Sequence, residues 1–469
     1  MEKGMSTPGD KKQLNILVCK PRLAIQTIRM NRFIRCEPLE LEYLNTVLEN
    51  HNLTLLDGIV DRRNPLKIAK QIKAQIVLFT SLITTVSDVL KTAEKLKQLD
   101  QPPLIFVGGP HAEVIPESFF SPHIDGVFFA NQLEGIVKVV QHIQENTPYQ
   151  HVPGGAFRIN NQLIINPSAP LDPLHMHRPK HNLLVNDPNR YHIIYYKPCA
   201  TIKTSFGCTG KCTFCFCSEM HAGGYGARPM TDVIAEIEEI PVNNILILDD
   251  NFLISRKRLL AFSELMKETK LKKNFIAIGN ARFIAENPDV MERLKSVGLN
   301  AMMVGFEYVS NEELQEVNKD ATINDNNRTI EVCKNLDIDL FALFIINPDW
   351  THSDFRNLAA YVKENEIPFA LYSTLTVFPG TQMAKNGAPF ESDPRKWWRY
   401  DLLRLHNQPR HMSKLMFYLW LFYLYMVPGL KFTKMKKHRL RYGNWGVVKH
   451  AITSFFIGIE YIVKLIIWP

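Results

Sequence analysis

Four of the eight cysteines in this 469-residue chain, Cys208, Cys212, Cys215 and Cys217, fall within ten residues of one another. Three of them make a C-x3-C-x2-C pattern inside Thr204-Ser205-Phe206-Gly207-Cys208-Thr209-Gly210-Lys211-Cys212-Thr213-Phe214-Cys215, directly after a run that reads as a strand. Thiolates ligate iron–sulfur clusters, and short spacings let one loop wrap one cluster. Three ligands for four irons leave one iron open to an exchangeable ligand. Gly207 and Gly210 supply freedom where backbone must come close. The competing reading is zinc, which in structural sites wants four ligands, often as two separated pairs. Cys217 could be a fourth, but no second pair follows, so the cluster reading ranks first and Cys217 stays outside the ligand set. Cys19, Cys36, Cys199 and Cys333 read as packing residues. So few cysteines in so long a chain make no disulfide framework, and their clustering points to metal or redox chemistry rather than secretion.

The elements around this loop alternate between strand and helix. From Leu14 to Ile143, apolar strands at Leu14–Cys19, Leu53–Asp57, Ile76–Thr80, Leu104–Gly109 and Ile124–Phe129 are separated by helical stretches such as Glu40–Glu49, Pro65–Lys73, Val86–Leu99 and Leu133–Ile143. Buried strands in that alternation predict an open parallel α/β sheet, with any ligand at the strands' carboxyl ends. Thr80 and Ser81 stand at one such end and Gly108-Gly109-Pro110 at another. The glycines there let a ligand approach the backbone. A Pro-, Asn- and His-rich linker follows, with a hairpin around Ala156–Ile165. From Lys197, six strands (Ala200–Ser205, Asn244–Leu248, Phe275–Ile278, Ala301–Gly305, Leu340–Ile345, Leu371–Thr376) alternate with helices over about 190 residues, which fits a partial barrel better than a complete eight-fold one. The predicted division is 1–143, 144–196, 197–390 and 391–469.

With these residues in place, the segment Lys197–Lys385 resembles the radical SAM superfamily, whose signature is C-x3-C-x2-C with an aromatic, here Phe214, before the last cysteine. The resemblance implies a [4Fe–4S] cluster on Cys208, Cys212 and Cys215, reductive cleavage of S-adenosylmethionine (SAM) to a 5′-deoxyadenosyl radical, and an electron donor such as flavodoxin or ferredoxin. The hard chemistry belongs to the cofactor, and the protein supplies placement and dryness. By the same resemblance Asp249 or Asp250, in Ile247-Leu248-Asp249-Asp250-Asn251-Phe252, receives the SAM ammonium. The alternative is a helix N-cap. Arg282 in Asn280-Ala281-Arg282-Phe283 is implied as a polar contact near SAM, and Glu307 in Gly305-Phe306-Glu307 as the partner of the ribose hydroxyls; either is otherwise a surface ion pair. Phe378-Pro379-Gly380-Thr381 resembles the turn ending the sixth strand in one large subgroup. The fifth-strand segment Phe344–Thr351 lacks the glycines common there.

The first segment resembles the cobalamin-binding domain fused to many radical SAM enzymes, through Glu37-Pro38-Leu39-Glu40-Leu41-Glu42-Tyr43-Leu44 and Phe106-Val107-Gly108-Gly109-Pro110-His111-Ala112. That implies cobalamin held near Thr80, Ser81, Gly108, Gly109 and Pro110. No D-x-H-x-x-G motif offers a lower axial histidine, and His111 is read as bonding nearby backbone rather than cobalt. The usual acidic turn is replaced by Ala130-Asn131-Gln132-Leu133-Glu134-Gly135. The alternative is a domain that only packs on the barrel.

The formal charge of +8 is uneven: between Leu402 and Ile459 there are ten Lys/Arg and no Asp or Glu, and the rest of the chain falls to −2. This is not the pattern of a nucleic-acid-binding protein. Leu415–Val427 is apolar and aromatic without a charge, and at 13 residues it is short of the ~20 that span a bilayer. A second apolar run, Ala451–Trp468, carries Glu460 and Lys464 one turn apart. Between the runs lie Lys431, Lys434, Lys436, Lys437, Arg439 and Arg441. With Trp420, Trp445 and Trp468, this reads as helices lying on an anionic membrane surface. The alternative is a pair of helices packed on the barrel with a solvated basic loop. Met1–Lys12 is polar and has no apolar core of a signal peptide, so the expected place is the cytoplasm, at the inner face of the membrane.

Together these readings predict a cobalamin-dependent radical SAM methyltransferase of the hopanoid C-3 methylase-like branch, acting on an unreactive carbon of a polycyclic or isoprenoid lipid or another small molecule. The rivals are radical ring formation or rearrangement without methyl transfer, as in tetrapyrrole or natural-product tailoring, and a non-catalytic metal-binding module.

Overall fold

The computed structural model describes residues 13–29, 31–129, 133–168, 176–217, 219–220, 224–367, 369–426, 452 and 458–468. The chain divides into two compact units: Met1–Arg22, Glu40–Pro170 and His177–Lys180 form one, and Leu23–Leu39, Leu171–Met176 and His181–Pro469 the other.

The first unit is a seven-stranded sheet in the order Asn52–Asp57, Asn15–Lys20, Ile76–Thr80, Leu104–Gly108, Gly126–Phe128, Gly155–Ile159, Gln162–Ile165. The first five strands are parallel, as the alternation with helices requires. Ile76–Thr80 is buried at every position, which is why it reads as an unbroken β-branched and aromatic run. The hairpin forms where expected, turning at Asn160 and Asn161 with φ of 48° and 62°, the left-handed pair that a two-residue turn needs. It does not lie in a free linker: it continues the same sheet, antiparallel to Gly126–Phe128.

The second unit holds six parallel strands in chain order, Cys199–Ile202, Asn244–Ile247, Asn274–Asn280, Leu299–Glu307, Asp339–Ile346 and Phe369–Thr374. Helices Met230–Glu239, Arg256–Thr269, Pro288–Ser296, Ile323–Asn335 and His352–Glu364 fill the crossovers. This is the partial (β/α)6 barrel. Its helix starts are set by side-chain caps: Ser255 accepts from the Arg258 N–H, and Thr322/Asp325 and Thr351/Asp354 make reciprocal capping boxes. Leu246, Ile276, Ala301 and Phe341 from successive strands share one core.

A buried charge cluster ties the start of this barrel to the segment that precedes it. Glu37 accepts from the Thr201 N–H (3.1 Å) and pairs with His181 Nδ1 (3.0 Å), whose Nε2 lies 3.4 Å from Glu236; Arg228 closes the set on Glu236 at 2.6 Å. Burial works against the His181 imidazolium, but the hydrogen bonds and charges of Glu236 and Glu37 outweigh it and raise its pKa to about 10. A folded-state pKa above the unfolded 6.5 gives stabilisation that is complete below about pH 6.5 and lost as pH rises through 10. Breaking a buried pair costs about 3–5 kcal/mol. His181→Gln should therefore lower the melting temperature at pH 6.5, and the gap to the parent should narrow toward pH 10. A gap that is constant with pH would show that His181 is not charged.

Two tail segments pack on the barrel. In helix Lys414–Met426, Phe417, Leu421 and Leu424 are fully buried, Trp420 stacks on Phe355, and the Tyr425 hydroxyl donates to the Tyr372 carbonyl at 2.7 Å. Residues 458–467 are helical, and Lys464 donates to the Thr27 carbonyl at 2.6 Å. Among the described residues, no helix is long and apolar enough to cross a membrane. The basic run Lys431–Arg441, Trp445, the segment 130–132 and the opening residues 1–12 lie outside the described residues.

Candidate active site

The cysteine loop begins where the first barrel strand ends, and its path is held by two neighbouring carboxylates. Asp249, fully buried after the second strand, accepts four hydrogen bonds: from the Thr204 N–H and hydroxyl and from the Ser205 N–H and hydroxyl, at 2.5–3.0 Å. Burial pushes its carboxyl pKa up, and those hydrogen bonds oppose the shift. Asp250 accepts from the Gly207 N–H at 2.8 Å and faces Lys203 at 3.4 Å. One of the two, Asp249 or Asp250, is expected at a SAM ammonium or as a helix N-cap. The cap of the next helix is Ser255 instead, and Asp249 is committed to the loop's own base. Gly207 sits at φ +79°, where a Cβ would come within 1.9 Å of the Gly224 carbonyl oxygen, so only glycine fits.

Beyond Gly207 the loop is fastened to two other parts of the unit. The Thr213 N–H donates to the Val317 carbonyl (3.0 Å), Asn318 donates to the Lys211 carbonyl (2.8 Å), and the Met383 N–H donates to the Thr213 carbonyl (2.8 Å). The Pro379-Gly380-Thr381 turn thus meets the cysteine loop, and Phe378 and Phe216 pack at 5.7 Å. Phe214 is half-buried between Cys212 and Cys215.

These fastenings bring a residue that no motif pointed to, Lys319, beside the thiols. Its ammonium pairs with Glu307 at 2.7 Å, with the two side chains only 12% and 10% exposed. Glu307 sits at a register shift in the fourth strand with φ +60°, a left-handed conformation that costs of order 1–3 kcal/mol. Burial raises the pKa values of the Cys208 thiol and of Cys212, the latter to about 11, and Lys319 opposes both shifts. Burial works against the charge of Lys319 itself, but Glu307, Cys212 and Cys215 keep it protonated. Cys215 is lowered, first because the Cys217 thiol donates to it, and Cys217 is raised in return. Arg282 is not part of this group. It is 49% exposed and paired with Glu286 (2.9 Å) and Asp320, so it is the surface ion pair of the two readings.

The donor set suits an iron–sulfur cluster. Cys208, Cys212 and Cys215 feel one another electrostatically, none is in a disulfide, and they share one compensating ammonium. Among the described residues, no group of three or more His, Cys, Asp or Glu side chains is arranged to hold a metal ion.

In the first unit, Thr80 pairs with Gly108 across the sheet, and the Ser81 N–H donates to the Gly108 carbonyl at 2.8 Å. The Ser81 hydroxyl is taken up locally by Thr85 and the Leu82 carbonyl. Gly109, at φ +99°, is required by the fold, since a Cβ would lie 2.7 Å from the Ser81 nitrogen. Gly108 is different: a Cβ there would make only an ordinary contact, with the Phe128 carbonyl oxygen at 3.8 Å, so a side chain fits without a clash. Pro110 starts the short helix Pro110–Val114. His111 bonds Ser118 at 3.1 Å, and burial lowers its pKa to about 4.

Residues 202–362 match the family described as the Radical SAM superfamily, and residues 27–139 match the B12 binding domain. The chain is 25% identical to an uncharacterized methyltransferase of Pyrococcus horikoshii over 74% of its own length and 77% of the relative's. It is 24% identical to the hopanoid C-3 methylase of Methylococcus capsulatus over 75% and 68%. In fold it is similar to the radical SAM methyltransferase TsrM of Kitasatospora setae, solved with cobalamin and a [4Fe–4S] cluster bound, with a TM-score of 0.63 at 15% identity, covering 79% of this chain and 74% of that one. The chain is an enzyme that carries a Radical SAM domain and a B12-binding domain. Its cofactors are a [4Fe–4S] cluster, SAM and cobalamin.

Proposed function

We propose that the enzyme transfers a methyl group from SAM to an unactivated carbon of a lipid-like substrate, of the hopanoid or isoprenoid type, with cobalamin as methyl carrier. Cys208, Cys212 and Cys215 ligate the cluster, and flavodoxin or ferredoxin supplies its electron. When bound, the cluster provides for reductive cleavage of one SAM to a hydrogen-abstracting radical, and cobalamin provides for methyl transfer from a second. The chain's own residues do the rest. Asp249 and Asp250 hold the start of the cysteine loop through Thr204, Ser205 and Gly207. Lys319 offsets their negative charge in a site where burial would otherwise keep them protonated. Glu307 holds Lys319 in place, and its remaining carboxylate oxygen suits a ribose hydroxyl. Phe214 shields the same side from water. Gly108 leaves room for the corrin.

The observation that carries this reading is the thiol group around Lys319 in a chain that also holds the Gly108-Gly109-Pro110 turn. Its extension to a lipid rests on the likeness to a hopanoid methylase and on the apolar tail. The test is anaerobic reconstitution with iron, sulfide, hydroxocobalamin, reductant and SAM, offering a polycyclic triterpenoid. The expected result is a product heavier by one methylene, with 5′-deoxyadenosine and S-adenosylhomocysteine formed in comparable amounts. A product of unchanged carbon count, with 5′-deoxyadenosine but no S-adenosylhomocysteine, would assign ring formation or rearrangement instead.

A further inference from the structure

Lys319 is fixed beside Cys212 by the backbone around it, before its side chain makes any contact. The two residues that precede it are hydrogen-bonded to the two that flank Cys212. The Thr213 N–H donates to the Val317 carbonyl (3.0 Å), and the Asn318 side-chain amide donates to the Lys211 carbonyl (2.8 Å). The Lys319 N–H then turns back onto the Leu314 carbonyl at 2.8 Å, closing the end of helix Asn311–Glu316. The side chain is held at its far end as well, where Glu307 accepts from the ammonium at 2.7 Å. Both groups lie over Gly305. A Cβ there would collide with the Glu307 carboxylate and stand 2.9 Å from the Lys319 Nζ, so the fourth strand needs glycine to make room for the pair.

An ion pair of zero net charge still has a direction, and here the ammonium end is turned to the thiols. Lys319 acts on Cys212 and on Cys215 more strongly than Glu307 does. The other pair at this loop, Lys203–Asp250 at 3.4 Å, has the opposite sense, since it presents the Asp250 charge to Cys208. A fixed charge in a buried site is screened little, and it favours whichever state of its neighbours carries more of the opposite sign. Reduction by one electron adds a unit of negative charge to whatever the three thiolates hold. The potential of such a centre is set by its net charge, by hydrogen bonds to its sulfurs and by its exposure to solvent.

We propose that the Lys319–Glu307 pair sets the reduction potential of the cluster held by Cys208, Cys212 and Cys215, the ammonium raising it and the carboxylate limiting the rise. This rests on the ligand set above and not on the substrate. The test is a mediated redox titration of the full-length, cluster-loaded protein without SAM or substrate, followed by visible absorbance and by the electron paramagnetic resonance of the reduced form. Lys319→Met keeps the length of the side chain and removes its charge. It should cut the reduced-to-oxidised ratio at the parent's midpoint by at least about tenfold, a fall of about 59 mV for one electron. Glu307→Gln should move the midpoint upward, and Lys319→Arg should hold it near the parent's. Arg282→Gln, which removes one positive charge from the exposed pairs with Glu286 and Asp320, should leave it in place. Shifts of opposite sign at Lys319 and Glu307 follow from charge; loosening of the loop would move both variants alike. If Lys319→Met takes up no iron, Glu307→Gln and Lys319→Arg decide the matter. Equal midpoints in all variants, or shifts of one sign, would overturn the proposal, and an unchanged midpoint with a raised Kd for SAM would make Lys319 a SAM contact instead. A parent protein that takes up no cluster would overturn the ligand set itself, which is a separate failure.

Discussion

Alanine at Cys208, Cys212 or Cys215 is expected to abolish both the brown absorbance of the reconstituted protein and 5′-deoxyadenosine formation, each to background. The reason lies in the count of donors. Three thiols serve four irons in the proposed ligand set, so each is needed to hold the cluster. Cys217→Ala is expected to keep the cluster, because the proposed ligand set needs only Cys208, Cys212 and Cys215 and the Cys217 thiol donates to Cys215. Asp249→Ala separates the loop's positioning from its ligation. It orphans four buried donors at Thr204 and Ser205, each costing about 1–3 kcal/mol when unsatisfied. Loss of such supporting contacts lowers cluster affinity by about 10–100-fold. Iron content should therefore fall together with SAM cleavage. A variant with full iron content and only a raised KM for SAM would make Asp249 a substrate contact. A dispensable Cys208, Cys212 or Cys215 beside an indispensable Cys217 would overturn the ligand assignment.

The fold was legible because its strands advertise themselves. Parallel strands covered on both faces must be apolar through their buried lengths, and Ile76–Phe79 and Ile245–Ile247 are. Glycine and asparagine mark the turns because positive φ excludes most other residues, as at Gly109 and Asn160-Asn161. The cysteine loop was legible because its ligands are neighbours in sequence. What stayed hidden depends on side-chain direction. Lys319 lies in an ordinary charged turn, Asn318-Lys319-Asp320, and becomes a partner of the thiols only because the Thr213 N–H docks on the Val317 carbonyl. Asp249 and Asp250 look equivalent in sequence, yet the first is buried under four hydrogen bonds and the second braces Gly207. Glu37 reads with the first domain's opening loop but bonds to Thr201, 164 residues away, in the barrel unit. The tail offered two readings, core or membrane, because an all-round apolar helix satisfies both. Its inner face packs on Phe355 and Tyr372 and its outer face is exposed.

Gly108 is the position where a side chain should cost the enzyme its cobalamin and little else. The two glycines of the Gly-Gly-Pro turn look alike in sequence, but they answer differently to a Cβ. At Gly109 an added carbon meets the Ser81 nitrogen at 2.7 Å and the Thr80 hydroxyl at 2.8 Å, in a backbone conformation that strains any L residue. Gly109→Ala should therefore lower the melting temperature, whatever ligand is present. At Gly108 the nearest atom is 3.8 Å away, and the residue lies on a regular strand that accepts any side chain. Gly108→Leu should leave folding, iron content and SAM cleavage close to the parent's, because a Cβ there makes only an ordinary contact at the strand's carboxyl end. It should reduce cobalamin retained through desalting by at least about tenfold, since corrin and isobutyl group compete for one volume. Methyl transfer should fall with the retained cobalamin, while 5′-deoxyadenosine formation persists. His111→Ala should leave the cobalamin spectrum unchanged, because that imidazole is buried against Ser118 and holds no metal in this reading. If Gly108→Leu binds hydroxocobalamin as fully as the parent, the corrin sits elsewhere.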